Sequence, residues 1–266
     1  MYDRFNRKVN YLRVSVTDKC NLRCYYCMPQ EGVALLRHED ILSYEEIAAV
    51  VRYGAGKGID KVRITGGEPL VKRGITTLVK ILADIEGIDD LSMSTNAVLL
   101  PPLADELVRS GLRRVNVSLD TLDPEKYRHI TRGGDLTKVL EGLKAAGEAG
   151  LQPIKINAVR SRYFDVEDHS ALTAFCRENG YQLRFIQEMD LGKGQFSRVE
   201  GGSGGDCPRC NRLRLTPEGK LNPCLFSNLG YDVRELGIEE AYRRALDNKP
   251  LSGSTNNSCA FYRMGG

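Results

Sequence analysis

The chain of 266 residues sets 38 Lys and Arg against 35 Asp and Glu, a formal charge of +3, with 41% apolar and 27% charged residues. Such a composition can bury a core and lacks the low hydrophobicity and high charge of disordered chains. The near balance of charge excludes a generally basic nucleic-acid binder, and no stretch reaches the roughly 20 apolar residues that span a bilayer.

The opening Met1 to Lys8 has no apolar signal core, so the expected location is the cytoplasm. In a reducing compartment the 8 cysteines read as metal ligands or catalytic thiols rather than disulfides. Tyr11 to Val16 is the first expected strand. Ser43 with Glu46 then makes a capping box, followed by Ile47, Val50 and Val51 at helical spacing and by Gly54, Gly56 and Gly58 towards the end. Further strands are expected at Lys61 to Thr65, Leu91 to Thr95, Arg114 to Leu119, Pro153 to Val159 and Gln182 to Ile186. Pro101-Pro102 and Asp123-Pro124 open helices between them, and Leu136 to Ala149 forms another, ended by Gly150. A spacing of about 25 to 40 residues between strands matches βαβ crossovers, and most runs are apolar enough to be covered on both faces. Six such units give an α/β parallel sheet, either an incomplete barrel or an open doubly wound one. No GxGxxG or Walker pattern follows a strand, which argues against a Rossmann enzyme.

After Met189 the alternation stops. Gly192, Gly194, Gly201, Gly202, Gly204 and Gly205 read as a flexible connection, and a helix is expected around Ile238 to Asp247. The domain reading is therefore 1–190 as the sheet and its helices, 191–206 as a Gly-rich linker and 207–266 as a C-terminal segment.

Six cysteines fall into two trios. Cys20, Cys24 and Cys27 form CxxxCxxC directly after the first strand, where three thiolates can hold one corner of an iron-sulfur cubane and leave one iron open. A zinc knuckle completed by a distant cysteine is the alternative, because none of His38, His129 and His169 lies near. Cys207 and Cys210 form CxxC, followed by thirteen residues and then Cys224. Here a zinc ribbon, completed by Cys259, is the alternative. Arg212 and Arg214 occupy alternate positions of a short extended run, so both point to one face and suit a polyphosphate. The bland reading is a solvated basic strand. Lys61 and Arg63 share a strand face in the same way, and Cys176 reads as a small buried hydrophobe.

CxxxCxxC with Tyr26 before its last cysteine, followed after the second strand by Thr65-Gly66-Gly67-Glu68-Pro69, resembles the radical S-adenosylmethionine (SAM) superfamily. Within it, the chain resembles the GTP 3′,8-cyclase family of molybdenum cofactor biosynthesis. Asp3 to Phe5, Leu12 to Asp18, Lys61 to Pro69, Arg114 to Asp120, Lys155 to Val159 and Leu183 to Ile186 carry that likeness. So do the second trio with its Asn211 to Leu215 run and the terminal Gly265-Gly266. The resemblance covers nearly the whole chain. It departs between Met189 and the second trio, where the family usually carries several tens more residues. A short form, a paralogue with another substrate and an engineered linker all fit that shortening.

The resemblance implies an incomplete (β/α)6 barrel of TIM type with a small C-terminal iron-sulfur segment, and two [4Fe-4S] clusters. Cys20, Cys24 and Cys27 would ligate the first, and Cys207, Cys210 and Cys224 the second. SAM would lie on the first cluster among Tyr26, Gly67, Glu68, Ser94, Ser118, Lys155 and Met189, with Glu68 receiving its amino group. Arg13, Lys61, Arg63, Lys155, Arg184, Arg212 and Arg214 would line the triphosphate and ribose surface. Inward-facing cations need an anion, and a triphosphate brings about four negative charges. Cleaved SAM would give a 5′-deoxyadenosyl radical that takes hydrogen from C3′ of GTP, after which the carbon radical attacks C8 of guanine. Arg212, Arg214, Gly265 and Gly266 would assist, the last two as a tail threaded into the cavity. Expected partners are GTP, a flavodoxin or ferredoxin electron donor and a downstream pterin synthase. A homodimer is also compatible with the family, and neither nucleic acid nor membrane is expected. The alternatives are a radical SAM enzyme with another substrate, such as a peptide, and a non-catalytic iron-sulfur or zinc protein.

Overall fold

The structure is a computed structural model in which residues 1–257 and 261–264 are described. Cys259, Gly265 and Gly266 lie outside the described residues. The first strand, β1 (Tyr11–Ser15), leads through a long loop to α1 (Tyr44–Gly56), then β2 (Lys61–Thr65), α2 (Ile75–Ala83) and β3 (Asp90–Thr95). Next come α3 (Ala104–Arg109), β4 (Arg114–Ser118), α4 (Pro124–Thr131), α5 (Leu136–Glu148), β5 (Lys155–Arg160), α6 (Val166–Glu178) and β6 (Gln182–Gln187). The remainder holds β7 (Arg212–Leu215), β8 (Lys220–Asn222), β9 (Tyr231–Asp232), α7 (Val233–Leu236), α8 (Ile238–Asp247) and α9 (Phe261–Met264). The expected capping box is present, Ser43 Oγ accepting from Glu46 N and Glu46 accepting from Ser43 N. Asp123 caps α4 ahead of Pro124 at its first position.

The strands form one sheet in the order β6-β5-β4-β3-β2-β1-β7-β8-β9. Strands β1 to β6 are parallel to their neighbours, and β7 lies parallel to β1. Strands β8 and β9 then turn back antiparallel. The sheet does not close, since β6 and β9 are its two edges. Residues beyond 207 thus extend the same sheet on its β1 side, and α8 returns over α1, where Tyr242 Oη donates to Val50 O at 3.2 Å.

Alternation along each strand separates two faces. Leu12, Val14, Val62, Ile64, Leu91, Met93, Val115, Val117, Ile156 and Ala158 are buried in the main apolar cluster with residues of the covering helices. Arg13, Arg63, Asn157 and Arg184 instead line a cavity. Coverage on both faces, expected from the apolar runs, is therefore corrected: one face packs on helices and the other is polar.

The Gly-rich stretch also differs from a flexible spacer. Glu200 and Phe185 exchange backbone hydrogen bonds at 3.0 and 3.2 Å, and Val199 N donates to Gly204 O at 2.9 Å. Gly205 has φ +72°, and a Cβ there would stand 1.9 Å from Ser197 O. The glycines are the residues that let this segment fold back against β6.

Candidate active site

Two cavities open on the polar face of the sheet. The first, of about 190 Å³, is lined by Cys20, Cys24, Cys27, Tyr26, Gly67, Glu68, Ser94, Ser118 and Met189 among others. The second, of about 390 Å³, is lined by Arg13, Lys61, Arg63, Lys155, Arg184, Arg212, Arg214, Cys207, Cys210 and Cys224 among others. Asn157, Ile186 and Met189 belong to both walls, so the cavities adjoin. Lys155, named on the cofactor side as well as the cationic surface, stands in the second cavity's wall.

The first site grows from the loop after β1 and the turn after β2. Gly67 N donates to Thr17 O at 2.7 Å and Glu68 N to Lys19 O at 2.8 Å, which locks the two segments together. A Cβ on Gly67 would meet Lys19 O at 2.3 Å. Gly67, expected beside SAM, thus also permits a close approach of backbone. Glu68 is buried at 1% exposure. Its Oε1 accepts from Thr95 Oγ1 at 2.7 Å and Leu70 N at 3.0 Å, and its Oε2 from Asn96 N at 2.7 Å. Burial outweighs these donors and raises its pKa to about 7, so the carboxylate favours a cationic partner. Burial likewise pushes the Cys20 thiol to about 11 and Cys27 to about 12, and raises Cys24 further. Tyr26 Oη donates to Asp120 Oδ2 at 2.8 Å. Asp120, inside a quoted motif but given no role, is held up at about 6 by burial.

The second site is assembled by strand register. Arg214, Arg13 and Arg63 lie side by side across β7, β1 and β2, and Arg212, Tyr11 and Lys61 form the adjacent row. Among the described residues, eight cations line this cavity, with Asp90 and Asp206 as its carboxylates. Asp90 is taken by Arg114, whose Nη2 lies 2.6 Å from Oδ2. Asp206 lies 3.2 Å from Arg198. Arg63 and Arg212 stand over the Tyr11 ring, at 5.4 and 5.7 Å from its centroid. Arg184 Nε and Tyr11 Oη are buried without a hydrogen-bond partner. Burial first, and then neighbouring cations, lowers Arg13, Arg63 and Arg184, brings Arg214 to about 10 and Lys155 to about 8. A surface this crowded with charge calls for a polyanion.

Arg114, Asp90 and Tyr11 were not singled out from the sequence; the inward alternation of their strands was the available signal. Arg7 was also missed. Its guanidinium donates to Cys207 O at 2.7 Å, Pro250 O at 2.7 Å and Leu251 O at 3.0 Å, and pairs with Asp3 at 2.6 Å. Burial works against an ionised Cys210, but Lys249 and Arg212 outweigh it and hold that thiol below its usual range. Cys176 is buried, as expected. Arg214 Nη1 donates to Met264 O at 3.2 Å, which brings the chain just before Gly265 to the cavity. Among the described residues, no three His, Cys, Asp or Glu side chains converge as they do round one metal ion, and no helix is long and apolar enough to cross a membrane.

Residues 14–169 match the family model of the radical SAM superfamily. A GTP 3′,8-cyclase of Moorella thermoacetica is 40% identical, covering 97% of this chain and 96% of its own length. One of Thermodesulfovibrio yellowstonii is 42% identical over 89% of this chain and 88% of its own. The Moorella alignment runs over 310 residues, longer than the 266-residue chain, so that relative carries residues with no counterpart here. Among solved structures, Streptococcus suis SuiB bound to S-adenosylmethionine superposes with a TM-score of 0.69 at 17% identity, covering 92% of this chain and 67% of SuiB. The structure of anSMEcpe with bound AdoMet gives 0.65 at 15%, covering 90% and 81%; both likenesses establish the fold. The chain belongs to the radical SAM superfamily and, within it, to the GTP 3′,8-cyclases.

Proposed function

We propose that the protein converts GTP to (8S)-3′,8-cyclo-7,8-dihydroguanosine 5′-triphosphate, the first step of molybdenum cofactor biosynthesis. The observation that carries this reading is the pair of adjoining cavities, one walled by Cys20, Cys24, Cys27 and Glu68, the other by cations and a second cysteine trio. Cys20, Cys24 and Cys27 would hold a [4Fe-4S] cluster; when bound, it supplies the single electron that starts SAM chemistry. Three thiolates share that cavity wall, and among the described residues its lining offers no fourth cysteine or histidine, a donor set that suits a cubane with one open iron more than a tetrahedral zinc.

The chain's own residues bind and orient. Glu68 supplies the buried anion for the amino group of SAM, while Gly67, Ser94, Ser118 and Met189 shape the surrounding wall. Tyr26 is fixed by Asp120. Arg13, Lys61, Arg63, Lys155, Arg184, Arg212 and Arg214 receive the triphosphate and ribose. Cys207, Cys210 and Cys224 would hold a second cluster at the guanine end. Buried arginines already oriented by the sheet lose little freedom on binding, so the reacting carbons are brought to near-attack distance by a rigid frame. Gly265 and Gly266 would complete the cavity beside Arg214. A flavodoxin or ferredoxin would donate the electron in the cytoplasm, and the product would pass to a pterin synthase. The assembly state would be a monomer or a homodimer.

A peptide substrate is the weaker reading: the peptide-bound structures SuiB–SuiA and anSMEcpe share 22% and 16% identity with this chain, and the cationic wall suits a polyphosphate. Anaerobic reconstitution followed by incubation with SAM, GTP and reductant tests the proposal. It should yield 5′-deoxyadenosine and the cyclised nucleotide; SAM cleavage without cyclised product would overturn it.

A further inference from the structure

Lys249 follows the C-terminus of α8 and is buried at 1% exposure. A lysine so deep is rare unless its charge is met. Its Nζ lies 2.6 Å from Pro223 O, 2.7 Å from Arg212 O and 3.4 Å from Cys210 Sγ. Two carbonyls satisfy two of its three N–H donors but carry no net charge. Of the three partners, Cys210 is the one that can become an anion.

The same three contacts tie together separate pieces of the second trio. Cys210 is itself a member, Arg212 begins β7 two residues later, and Pro223 precedes Cys224. A single ammonium therefore spans the two arms that carry Cys210 and Cys224. Arg212 and Arg214 also act on these thiols through their charge, while Arg214 donates to Met264 O and Arg212 to Ser203 Oγ at 2.7 Å.

We propose that Lys249 is a positioning residue for the second cluster, holding its two arms in register and donating an N–H···S hydrogen bond to the Cys210 sulfur. This rests on the reading of Cys207, Cys210 and Cys224 as cluster ligands. A hydrogen bond to a ligating thiolate draws electron density from the cluster and raises its reduction potential. Lys249 would then keep the substrate-side cluster easier to reduce than the same trio without it, without touching substrate or SAM.

The test uses the full chain with its clusters reconstituted anaerobically. Iron and sulfide are counted, and both midpoint potentials are followed by EPR-monitored titration in the parent protein and in Lys249→Gln, which keeps N–H donors for the carbonyls but loses the charge. The parent should hold about eight irons, as two cubanes require. In the variant the second midpoint should move to a more negative potential while the first stays fixed. Loss of the second cluster alone would equally support the assignment through the positioning role. Two unshifted midpoints with full iron would overturn it. A parent with one cluster would remove the second-cluster reading and this assignment with it, a result visible before any variant is made. If Lys249→Gln does not fold, pulsed EPR on parent protein carrying ¹⁵N in its lysine side chains decides. The second cluster's signal should show a coupled lysine nitrogen, and its lack would overturn the proposal.

Discussion

Replacing Glu68 by Gln separates the cost of a buried carboxylate from its use. Burial raises the folded-state pKa from 4.5 to about 7, so between these values the folded protein keeps a proton that the unfolded chain has released. Stability contributed by this group therefore falls as pH rises through that window and is lowest above it. Integrated between pH 5.5 and pH 8, the loss is about 2 kcal/mol, and the whole shift is worth about 3 kcal/mol. Gln does not titrate, so it escapes that loss. It also turns an amide donor towards Asn96 N, which now donates to Oε2 at 2.7 Å, and forfeits a hydrogen bond that, with the parent's carboxyl protonated at pH 5.5, is worth about 0.5–1.5 kcal/mol. The variant should thus be less stable than the parent at pH 5.5 and regain about 2 kcal/mol relative to it at pH 8. Its affinity for SAM should fall by roughly 10- to 150-fold at pH 8, where the ionised carboxylate would offer SAM's amino group a charged hydrogen bond worth about 1.5–3 kcal/mol. Anaerobic guanidinium unfolding at the two pH values and calorimetric SAM titration give both numbers. A stability difference independent of pH, or unimpaired SAM binding, would refute the reasoning.

Three further outcomes follow from the geometry. Lys155 is lowered to about 8 by burial and then by Arg184, Arg114 and Arg63, so it loses its charge as pH rises through that value. A bound triphosphate restores the proton, and GTP binding near pH 8 should take up protons, seen as a dependence of calorimetric heat on buffer ionisation; Lys155→Met should abolish most of that uptake. Gly67→Ala would force a Cβ against Lys19 O, 2.3 Å away; because the obstacle is backbone, it should cost on the order of 2 kcal/mol or more in unfolding free energy and impair SAM binding together with stability. Arg7→Ala removes the hydrogen bonds to Cys207 O, Pro250 O and Leu251 O, and should lower iron at the second trio while leaving the iron held by Cys20, Cys24 and Cys27 in place.

The alternation of short apolar runs and capped helices made β1 to β6 legible to within a residue or two at most of their ends, because local propensity and the βα repeat agree there. Strand β2 and helix α8 match their expected bounds. The inward charge at Lys61 and Arg63 was also legible, since alternate positions of one strand share a face. The pairing of β7 with β1, which sets Arg214 beside Arg13, was not, because the strands' first positions, Tyr11 and Arg212, lie 201 positions apart in the chain, and nothing local records the register beyond the arginine run itself, although the family likeness already gave Arg212 and Arg214 a common task with Arg13. Gly201 to Gly205 misled for a physical reason: glycine composition reports freedom of the unfolded chain, whereas Gly205 occupies a positive φ against Ser197 O. Arg7 and Lys249 escaped notice because lone cations read as surface residues until tertiary packing buries them.

The central claim is that one cavity starts radical chemistry and its neighbour presents C3′ of GTP to it. GTP carrying deuterium at C3′, incubated anaerobically with the reconstituted protein, SAM and reductant, tests this by mass spectrometry of both products. The account predicts deuterium in 5′-deoxyadenosine together with a cyclised nucleotide that has lost it. Unlabelled 5′-deoxyadenosine with GTP unchanged would contradict it.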